Sequence, residues 1–397
     1  MISDLANPTK YSSQGLWPDY DILTNLSCNL ACTYCFEHDK CGRVNDIGAC
    51  RDFLRARYRE DYAEKGKPVT IPAAICLIGG ESFMVPDLID GICEECARLD
   101  QEYGVVPFHI AVSTNGTLIT RPENQRLLEI WSRHFYIGFS IDGTRANHDA
   151  CRIDHHGRGS YDRAVDGYLW CKERFCPCRL SAKATYTHAT MPTYAEGVNS
   201  LIDLGFRDLA ANGVFEEDWP DSDAEMILDQ LDAVTNHIFE RGLQRDISFF
   251  QICHRGLDME RYEPACPRTQ NHCGSCQYMR QLGFDRKIYG CHRFATMPDP
   301  MPIGHLDGDR IVITNHALVD KVVNLYKAWP DECKSCGIGG VCPSCPVTAF
   351  EFNREHPEEL FKARRQCGWA IAITAARLYF KQKLLAEREN RQWLTIT

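Results

Sequence analysis

Three cysteines near the N-terminus constrain this chain more than any other feature of its sequence. Cys28, Cys32 and Cys35 are spaced C-x3-C-x2-C in the run SCNLACTYCFE, directly after an apolar, strand-like stretch. Three thiolates on one short loop can bind one face of a cubane iron–sulfur cluster, which needs four ligands. One iron is then left open to a substrate or cofactor. A zinc site is the alternative, but zinc motifs usually combine C-x2-C with a distant second cysteine pair.

The composition indicates a globular protein that binds metal. The chain has 397 residues, of which 25% are charged and 22 are cysteines, and its formal net charge is −10. Disulfide-rich secreted proteins are usually short, and we find no signal-peptide pattern. We therefore expect a cytoplasmic protein with reduced thiols. No stretch approaches the roughly 20 apolar residues of a membrane helix, and the acidic charge argues against nucleic acid as a partner.

Residues 18–245 alternate strand-like and helix-like segments, which predicts an α/β fold with a parallel sheet. Six apolar runs predict the strands: PDYDILTNL, PAAICLIGG, FHIAVSTNG, FYIGFSIDG, RLSAKATYTH and FRDLAANGVF. Six strand–helix units predict a partial, TIM-like (β/α)6 barrel. In such barrels the chemistry gathers at the C-terminal ends of the strands.

Polar motifs follow three of these strands where chemistry is expected. Gly79-Gly80-Glu81 follows the second strand, Ser113-Thr114-Asn115-Gly116 ends the third, and Ser140-Ile141-Asp142-Gly143 ends the fourth. Glycines let the backbone approach a ligand closely, and the glutamate can stabilise an ammonium group. Each motif alone is also a suitable capping turn.

Together with the cysteine triad, these motifs resemble the radical SAM family, in which S-adenosylmethionine chelates the open iron of a 4Fe-4S cluster. The stretch SIDGTRANHDACRIDHHGRGSYDRA resembles the family block in which an arginine holds the methionyl carboxylate, here Arg152 with Arg163 as a rival. The resemblance implies reductive cleavage of the cofactor to a 5′-deoxyadenosyl radical, which abstracts hydrogen from a C–H bond. The residues expected at the cofactor are Gly79, Gly80, Glu81, Ser113, Asn115, Ser140, Asp142, Arg152 and Asn212.

The sequence pattern changes after about residue 250. From there on, helical periodicity fades, and cysteines, glycines and prolines interrupt the short runs of other residues. Cys333, Cys336, Cys342 and Cys345 read C-x2-C-x5-C-x2-C and precede Cys367. The candidate ligands upstream of this quartet are Cys266, Cys273, Cys276 and Cys291. This pattern resembles the SPASM extension of radical SAM proteins, with two departures. The last interval of the quartet is one residue short, and Arg286 replaces the glycine five residues before Cys291.

The SPASM resemblance implies two auxiliary 4Fe-4S clusters, and therefore three clusters in all. The outer cluster would use Cys333, Cys336, Cys342 and Cys367. The inner one would use Cys345, Cys291 and two of the remaining upstream cysteines, while two zinc sites are the alternative. The expected organisation is an N-terminal segment at 1–17, the barrel at 18–245, the SPASM domain at 246–368 and a C-terminal helix at 369–397.

The same resemblance implies a peptide or protein substrate and a flavodoxin- or ferredoxin-type electron donor. In anaerobic sulfatase maturases an aspartate follows the cysteine that matches Cys291 and acts as a base, whereas this chain has His292. We therefore expect a maturase that cross-links or oxidises a peptide side chain, with His292 as candidate base. Formylglycine formation and small-molecule dehydrogenation or epimerisation are the alternatives. A non-catalytic cluster protein is the alternative from a different class. The three strand-end motifs argue against it, because such a protein would need no cofactor pocket.

Overall fold

The computed structural model describes residues 19–37, 40–63, 72–264, 273–277, 279–339, 342 and 345–394. Its described residues form two compact units. The first unit lies within Met1–Ile141, Asp149–Leu180 and Asn271–Asn324. The second lies within Asp142–His148, Ser181–Gln270 and Leu325–Thr397.

Strands and helices alternate through the first two thirds of the described chain. The strands are β1 (Asp19–Leu23), β2 (Ala74–Ile78), β3 (His109–Thr114), β4 (Phe135–Ser140), β5 (Leu180–Tyr186), β6 (Asp208–Gly213), β7 (Ser248–Phe249), β8 (Arg280–Leu282), β9 (Lys287–Tyr289), β10 (Gly304–Asp307) and β11 (Arg310–Ile313). The helices are α1 (Ile47–Tyr58), α2 (Pro86–Tyr103), α3 (Pro122–Ile130), α4 (Arg145–Cys151), α5 (Tyr161–Lys172), α6 (Tyr194–Leu204), α7 (Ala224–Glu240), α8 (His292–Thr296), α9 (His316–Val323), α10 (Asp331–Lys334), α11 (Pro346–Phe352), α12 (Glu359–Lys362) and α13 (Cys367–Leu394).

The sheet of the first unit has the strand order β11-β10-β9-β8-β1-β2-β3-β4. Strands β8, β1, β2, β3 and β4 are parallel to one another. The pairs β8–β9, β9–β10 and β10–β11 are antiparallel. One face of β2 is apolar and fully buried at Ile75 and Leu77. The register places Asp21 of β1 opposite Cys76 of β2 and Gln281 of β8.

The second unit contains the parallel strands β5, β6 and β7. Two buried indole rings, Trp219 and Trp369, meet edge to face at 5.7 Å. A separate small core beside the cysteine-rich segment holds five buried residues: Leu325, Trp329, Ala349, Leu360 and Phe361. Its small size is consistent with a region that depends on bound metal for stability.

The predicted α/β fold with a parallel sheet is confirmed, and each of the six predicted strands is present as β1 to β6. The local signals explain the helix ends. The Asp46 carboxylate accepts a hydrogen bond from the Ala49 N–H at the start of α1, at 2.8 Å. Gly104 and Gly205 end α2 and α6 with φ of 63° and 115°, where glycine is favoured.

The sequence did not predict that β8 would pair with β1. Residues 280–313 therefore continue the sheet of the first unit, so the two compact units cut across the predicted domains. The boundaries at 245 and 368 stay a prediction. Among the described residues, none of the helices has the length and apolar character needed to cross a bilayer.

Candidate functional site

The triad loop, residues 28–35, follows β1 in the first unit. Cys28, Cys32 and Cys35 are all partly buried. The loop runs antiparallel to residues 151–154, since the Ala31 N–H donates to the Ile153 carbonyl at 2.7 Å and the Thr33 N–H donates to the Cys151 carbonyl at 3.0 Å. The His155 imidazole lies 2.9 Å from the Cys28 carbonyl. The block around Arg152 therefore supports the triad loop.

The Cys28 thiol has polar neighbours that suit a cluster ligand. The Leu30 N–H lies 3.4 Å from its sulfur, and the Asn115 amide nitrogen lies 3.9 Å from it. Burial, and then the charge of Glu81, raise the pKa of Cys28 to about 12. The thiol therefore keeps its proton until a cation replaces it. Hydrogen-bond donors aimed at a cluster sulfur are a normal feature of iron–sulfur sites.

Gly79 and Gly80 pack against the chain just before the triad. The Gly80 N–H donates to the Asn25 carbonyl at 3.0 Å, and the Glu81 N–H donates to the Ser27 carbonyl at 2.8 Å. A Cβ on Gly80 would lie 2.2 Å from the Ser27 carbonyl oxygen. No side chain fits there, so these glycines fix the base of the triad loop.

The Glu81 carboxylate is buried and already satisfied within the first unit. It accepts hydrogen bonds from the Thr114 hydroxyl and the Asn115 N–H, both at 2.8 Å, and from the Phe83 N–H at 3.2 Å. Burial raises the pKa of Glu81, while these hydrogen bonds and the charge of Arg152 lower it. Glu81 thus joins the second-strand motif to the third-strand motif.

Asn115 links the third-strand motif to the triad loop. Its side-chain amide donates to the Asn29 side chain at 2.9 Å, and its carbonyl oxygen accepts from the Thr117 hydroxyl at 2.7 Å. Ser113 is exposed and Ser140 is half-buried, each near the C-terminal end of its strand. The expected strand-end placement of these residues is therefore present.

Arg152 is the better placed of the two candidate arginines. It is buried, and its guanidinium lies 5.4 Å from the ring centre of Tyr34 in the triad loop. Arg163 is half-exposed and lies 3.5 Å from the Asp154 carboxylate. Of these two arginines, Arg152 is the one that brings a buried positive charge beside the triad, where a carboxylate ligand can be held.

The remaining predicted cofactor residues belong to the second unit. The Asp142 carboxylate accepts a hydrogen bond from the Thr185 N–H at 2.9 Å. A Cβ on Gly143 would lie 2.3 Å from the Gly197 Cα, so this glycine allows close packing. The Asn212 side chain accepts from the Gln251 amide at 2.8 Å. These contacts give Asp142 and Asn212 a structural role within their unit.

One of the predicted inner-cluster cysteines, Cys276, packs in the first unit against the segment that leads to Cys291. The Cys276 N–H donates to the Gly290 carbonyl at 3.3 Å, and a Cβ on Gly290 would lie 2.3 Å from the Cys276 sulfur. Cys276 therefore lies against the residue that precedes Cys291. Both cysteines are buried, whereas Cys273 is exposed. Cys266 lies outside the described residues.

His292 lies beside the triad loop. Its ring centre is 5.8 Å from that of Phe36, the residue after Cys35. The guanidinium of Arg293 lies 5.0 Å from the same Phe36 ring. Phe36 therefore connects the triad to the segment that follows Cys291.

Four cysteines line one cavity in the second unit. They are Cys333, Cys342, Cys345 and Cys367. Arg364 and Arg365 also line it, and positive charge suits a thiolate-ligated cluster. Cys336, a predicted ligand, follows one turn after Cys333, and its charge contributes to raising the pKa of Cys333, after burial and Cys367. The cavity also includes Cys345, which the sequence assigns to the other cluster.

The comparison with known families agrees with this geometry. Residues 22–204 match the family model of the Radical SAM superfamily. The chain contains a radical SAM domain. The serine-type anaerobic sulfatase-maturating enzyme of Bacteroides thetaiotaomicron is 23% identical over 350 residues, which cover 81% of this chain and 81% of that enzyme. A radical SAM domain implies one 4Fe-4S cluster and S-adenosylmethionine.

Several solved structures share the fold of this chain. The structure of anSMEcpe with bound AdoMet and Cp18Cys peptide aligns with a TM-score of 0.66 at 17% identity, over 94% of this chain and 99% of that one. Streptococcus suis SuiB bound to its precursor peptide SuiA aligns with a TM-score of 0.53 at 16% identity, over 86% of this chain and 74% of that one. These similarities confirm the predicted fold.

Sequence reasoning missed several residues around the radical SAM triad. Phe36 and Arg293 were not singled out, because only the tertiary structure brings them together. Glu37 is buried, and both its carboxylate oxygens have no hydrogen-bond partner among the described residues. Burial raises its pKa to about 7, against the opposing charge of Lys40. The available signal was the position of Glu37 two residues after Cys35, in the run SCNLACTYCFE.

Proposed function

We propose that this protein is a radical SAM maturase that modifies a side chain of a peptide or protein, forming a cross-link or an oxidised residue. The observation that carries the proposal is the joined site of the first unit. There the triad loop rests on Gly79 and Gly80, Glu81 ties that segment to Asn115, and Arg152 lies beside Tyr34. This arrangement serves to hold a charged cofactor over three thiols.

The bound cluster and cofactor would supply the radical that abstracts hydrogen. The protein supplies binding and orientation. The backbone around Glu81 and the Arg152 guanidinium are the groups that we assign to the amino and carboxylate ends of the cofactor. The donors at Cys28 would set the electrostatic environment of the cluster.

His292 is the candidate proton acceptor. A base is needed when a substrate radical loses an electron and a proton on the way to an oxidised product. Imidazole is suited to this near neutral pH. Its proximity to Phe36, the residue after Cys35, supports this role.

We assign the C-terminal cysteines to two auxiliary 4Fe-4S clusters, as the SPASM resemblance implies. The cavity lined by four cysteines and two arginines supports the outer cluster. The contact between Cys276 and the segment 290–291 supports Cys276 as one inner ligand. These clusters would carry the electron released from the substrate. A flavodoxin- or ferredoxin-type protein would supply the first electron.

Formylglycine formation is the second candidate. It is favoured by the similarity to a sulfatase-maturating enzyme over 81% of both chains. The replacement of the expected aspartate by His292 argues against it. The two candidates differ in their product, because formylglycine reacts with hydrazide reagents and a cross-link does not.

The test uses full-length protein reconstituted anaerobically with iron and sulfide. It is incubated with S-adenosylmethionine, a reductant and each of two substrates: a sulfatase-motif peptide, and a short peptide encoded beside the gene. We expect 5′-deoxyadenosine and a modified neighbouring peptide. The Cys28→Ala/Cys32→Ala/Cys35→Ala variant should produce neither, whereas a Cys176→Ala/Cys178→Ala control should retain both. Cofactor cleavage without modification of any peptide would contradict the maturase proposal.

A further inference from the structure

Four side chains with metal-binding atoms lie together on one face of the first unit's sheet. Asp21 of β1 is opposite Cys76 of β2 on one side and Gln281 of β8 on the other. Paired residues of parallel strands point to the same face of a sheet, and so do residues two apart on one strand. Asp19, two residues before Asp21, therefore shares this face.

The ligand atoms of Asp19, Asp21 and Cys76 are close together, and the register places Gln281 beside Asp21. One ligand atom from each of Asp19, Asp21 and Cys76 lies within 4.8 Å of the other two. The Cys76 thiol donates to the Asp19 carboxylate at 3.1 Å. Asp19 is 5% exposed, Asp21 is 2% exposed and Gln281 is fully buried.

Two oxygen atoms in this group have no donor among the described residues. They are one carboxylate oxygen of Asp21 and the amide oxygen of Gln281, both buried. Unsatisfied buried acceptors are costly, and two on neighbouring strands call for a shared proton, a water or a cation. Burial raises the pKa of both Asp19 and Asp21, so the two carboxylates are poorly stabilised as anions without an added positive charge. The positive charge of Arg57 lowers the pKa of both aspartates, but this guanidinium also lies 3.3 Å from the Asp61 carboxylate.

We propose that Asp19, Asp21, Cys76 and Gln281 bind one divalent cation of the zinc class. Zinc accepts carboxylate oxygen at about 2.0–2.2 Å and thiolate sulfur at about 2.3 Å, so atoms within this span can surround one ion. A sulfur ligand disfavours magnesium and calcium, which prefer oxygen. On binding, the ion replaces the Cys76 proton, which is released to solvent.

The site is distinct from the cysteine sites of the radical SAM domain. It lies in the body of strands β1, β2 and β8, and β1 leads directly into the triad loop. The ion would therefore tie β8, which is distant in sequence, to β1 and β2. Binding to the folded state alone would raise thermal stability.

The test uses full-length protein with its clusters reconstituted, given one equivalent of ZnCl2 and then desalted. Zinc and iron are counted on the same sample, and the zinc environment is read by zinc K-edge X-ray absorption, which iron does not obscure. We expect about one zinc per chain, with one sulfur and otherwise oxygen neighbours. Zinc should also raise the melting temperature.

Asp21→Asn is nearly isosteric and should lower retained zinc by roughly tenfold or more, because a charged ligand is lost. Cys76→Ser should remove the sulfur neighbour, and it keeps the proposal testable if the Asp21 variant does not fold. Asp232→Asn is the matched control, since Asp232 also has an unpartnered oxygen among the described residues and a raised pKa. No zinc in the parent protein would overturn the proposal and leave a shared proton or a water. Zinc with only sulfur neighbours, unchanged in Asp21→Asn, would also overturn it.

Discussion

Glu81 is tied into the protein more firmly than a simple cofactor ligand would be. Its carboxylate accepts three hydrogen bonds, from Phe83, Thr114 and Asn115. In Glu81→Gln, an NH2 group must face a donor, since at least one backbone N–H points at each oxygen. We expect a loss of about 1–3 kcal/mol in the free energy of unfolding, together with weaker cofactor binding. Chemical denaturation and equilibrium binding of S-adenosylmethionine measure the two effects.

The matched control is Thr114→Val, which removes one donor and leaves the carboxylate in place. It should destabilise the protein less than Glu81→Gln does. Weakened cofactor binding with unchanged stability in Glu81→Gln would show that direct ligand contact, and not internal support, is the role of this residue.

The proposed role of His292 can be tested by the coupling between hydrogen abstraction, which yields 5′-deoxyadenosine, and the formation of the final product. If it accepts the proton, His292→Ala should still form 5′-deoxyadenosine, but the product formed per 5′-deoxyadenosine should fall by roughly 10²–10⁴. Phe36→Leu is the control, because it removes the ring contact at 5.8 Å and keeps the imidazole. Normal coupling with a full iron content in His292→Ala would exclude the base role, and a loss of iron would instead assign His292 to cluster support.

The position of the triad loop depends on Gly79 and Gly80, the two glycines that directly follow β2. Gly80→Ala would place a Cβ 2.2 Å from the Ser27 carbonyl oxygen, a backbone atom that cannot rotate away. We expect a loss of about 1–3 kcal/mol in stability and reduced iron binding at the triad. Gly42→Ala is the control, since no atom lies within 4 Å of its added Cβ. Equal iron contents and melting temperatures in the two variants would contradict this packing role.

Arg286 occupies the position where the SPASM pattern has glycine, and its backbone keeps the conformation that favours glycine. Its φ is 58°. The side chain compensates by donating to the Leu306 carbonyl at 3.2 Å and to the Asp52 carboxylate at 2.8 Å. Arg286→Ala and Arg286→Gly both lose these bonds, but only glycine relieves the left-handed strain. Arg286→Gly should therefore be more stable than Arg286→Ala by about 1 kcal/mol.

The control for that comparison is the next residue, Lys287, whose φ of −80° is ordinary. Lys287→Ala should be more stable than Lys287→Gly, because glycine loses more conformational entropy on folding than alanine does. Urea denaturation of the four variants checks both orders. If the alanine variant is more stable than the glycine variant at both positions, the backbone at Arg286 is not strained.

Across the whole molecule, the sequence predicted what depends on local pattern. Apolar runs marked each of the strands β1 to β6. The triad, Glu81 and Asn115 were predicted as site residues from their spacing, their strand-end position and the resemblance to the radical SAM family. The pairing of β8 with β1 was not predicted, because it joins residues about 260 positions apart and leaves no local signature. The contact of Phe36 with His292 and Arg293 was missed for the same reason.

The total iron content tests the assignment of the cysteine sites together. Three cubane clusters require roughly twelve irons per chain. The triad variant Cys28→Ala/Cys32→Ala/Cys35→Ala should lose about four and keep the rest, because its auxiliary ligands are intact. Cys342→Ala, which removes one lining residue of the second-unit cavity, should lose a different four and still cleave S-adenosylmethionine. Iron and sulfide counts with Mössbauer spectra measure this. About four irons per chain, with zinc bound only by sulfur, would contradict the auxiliary clusters while leaving the radical SAM domain in place.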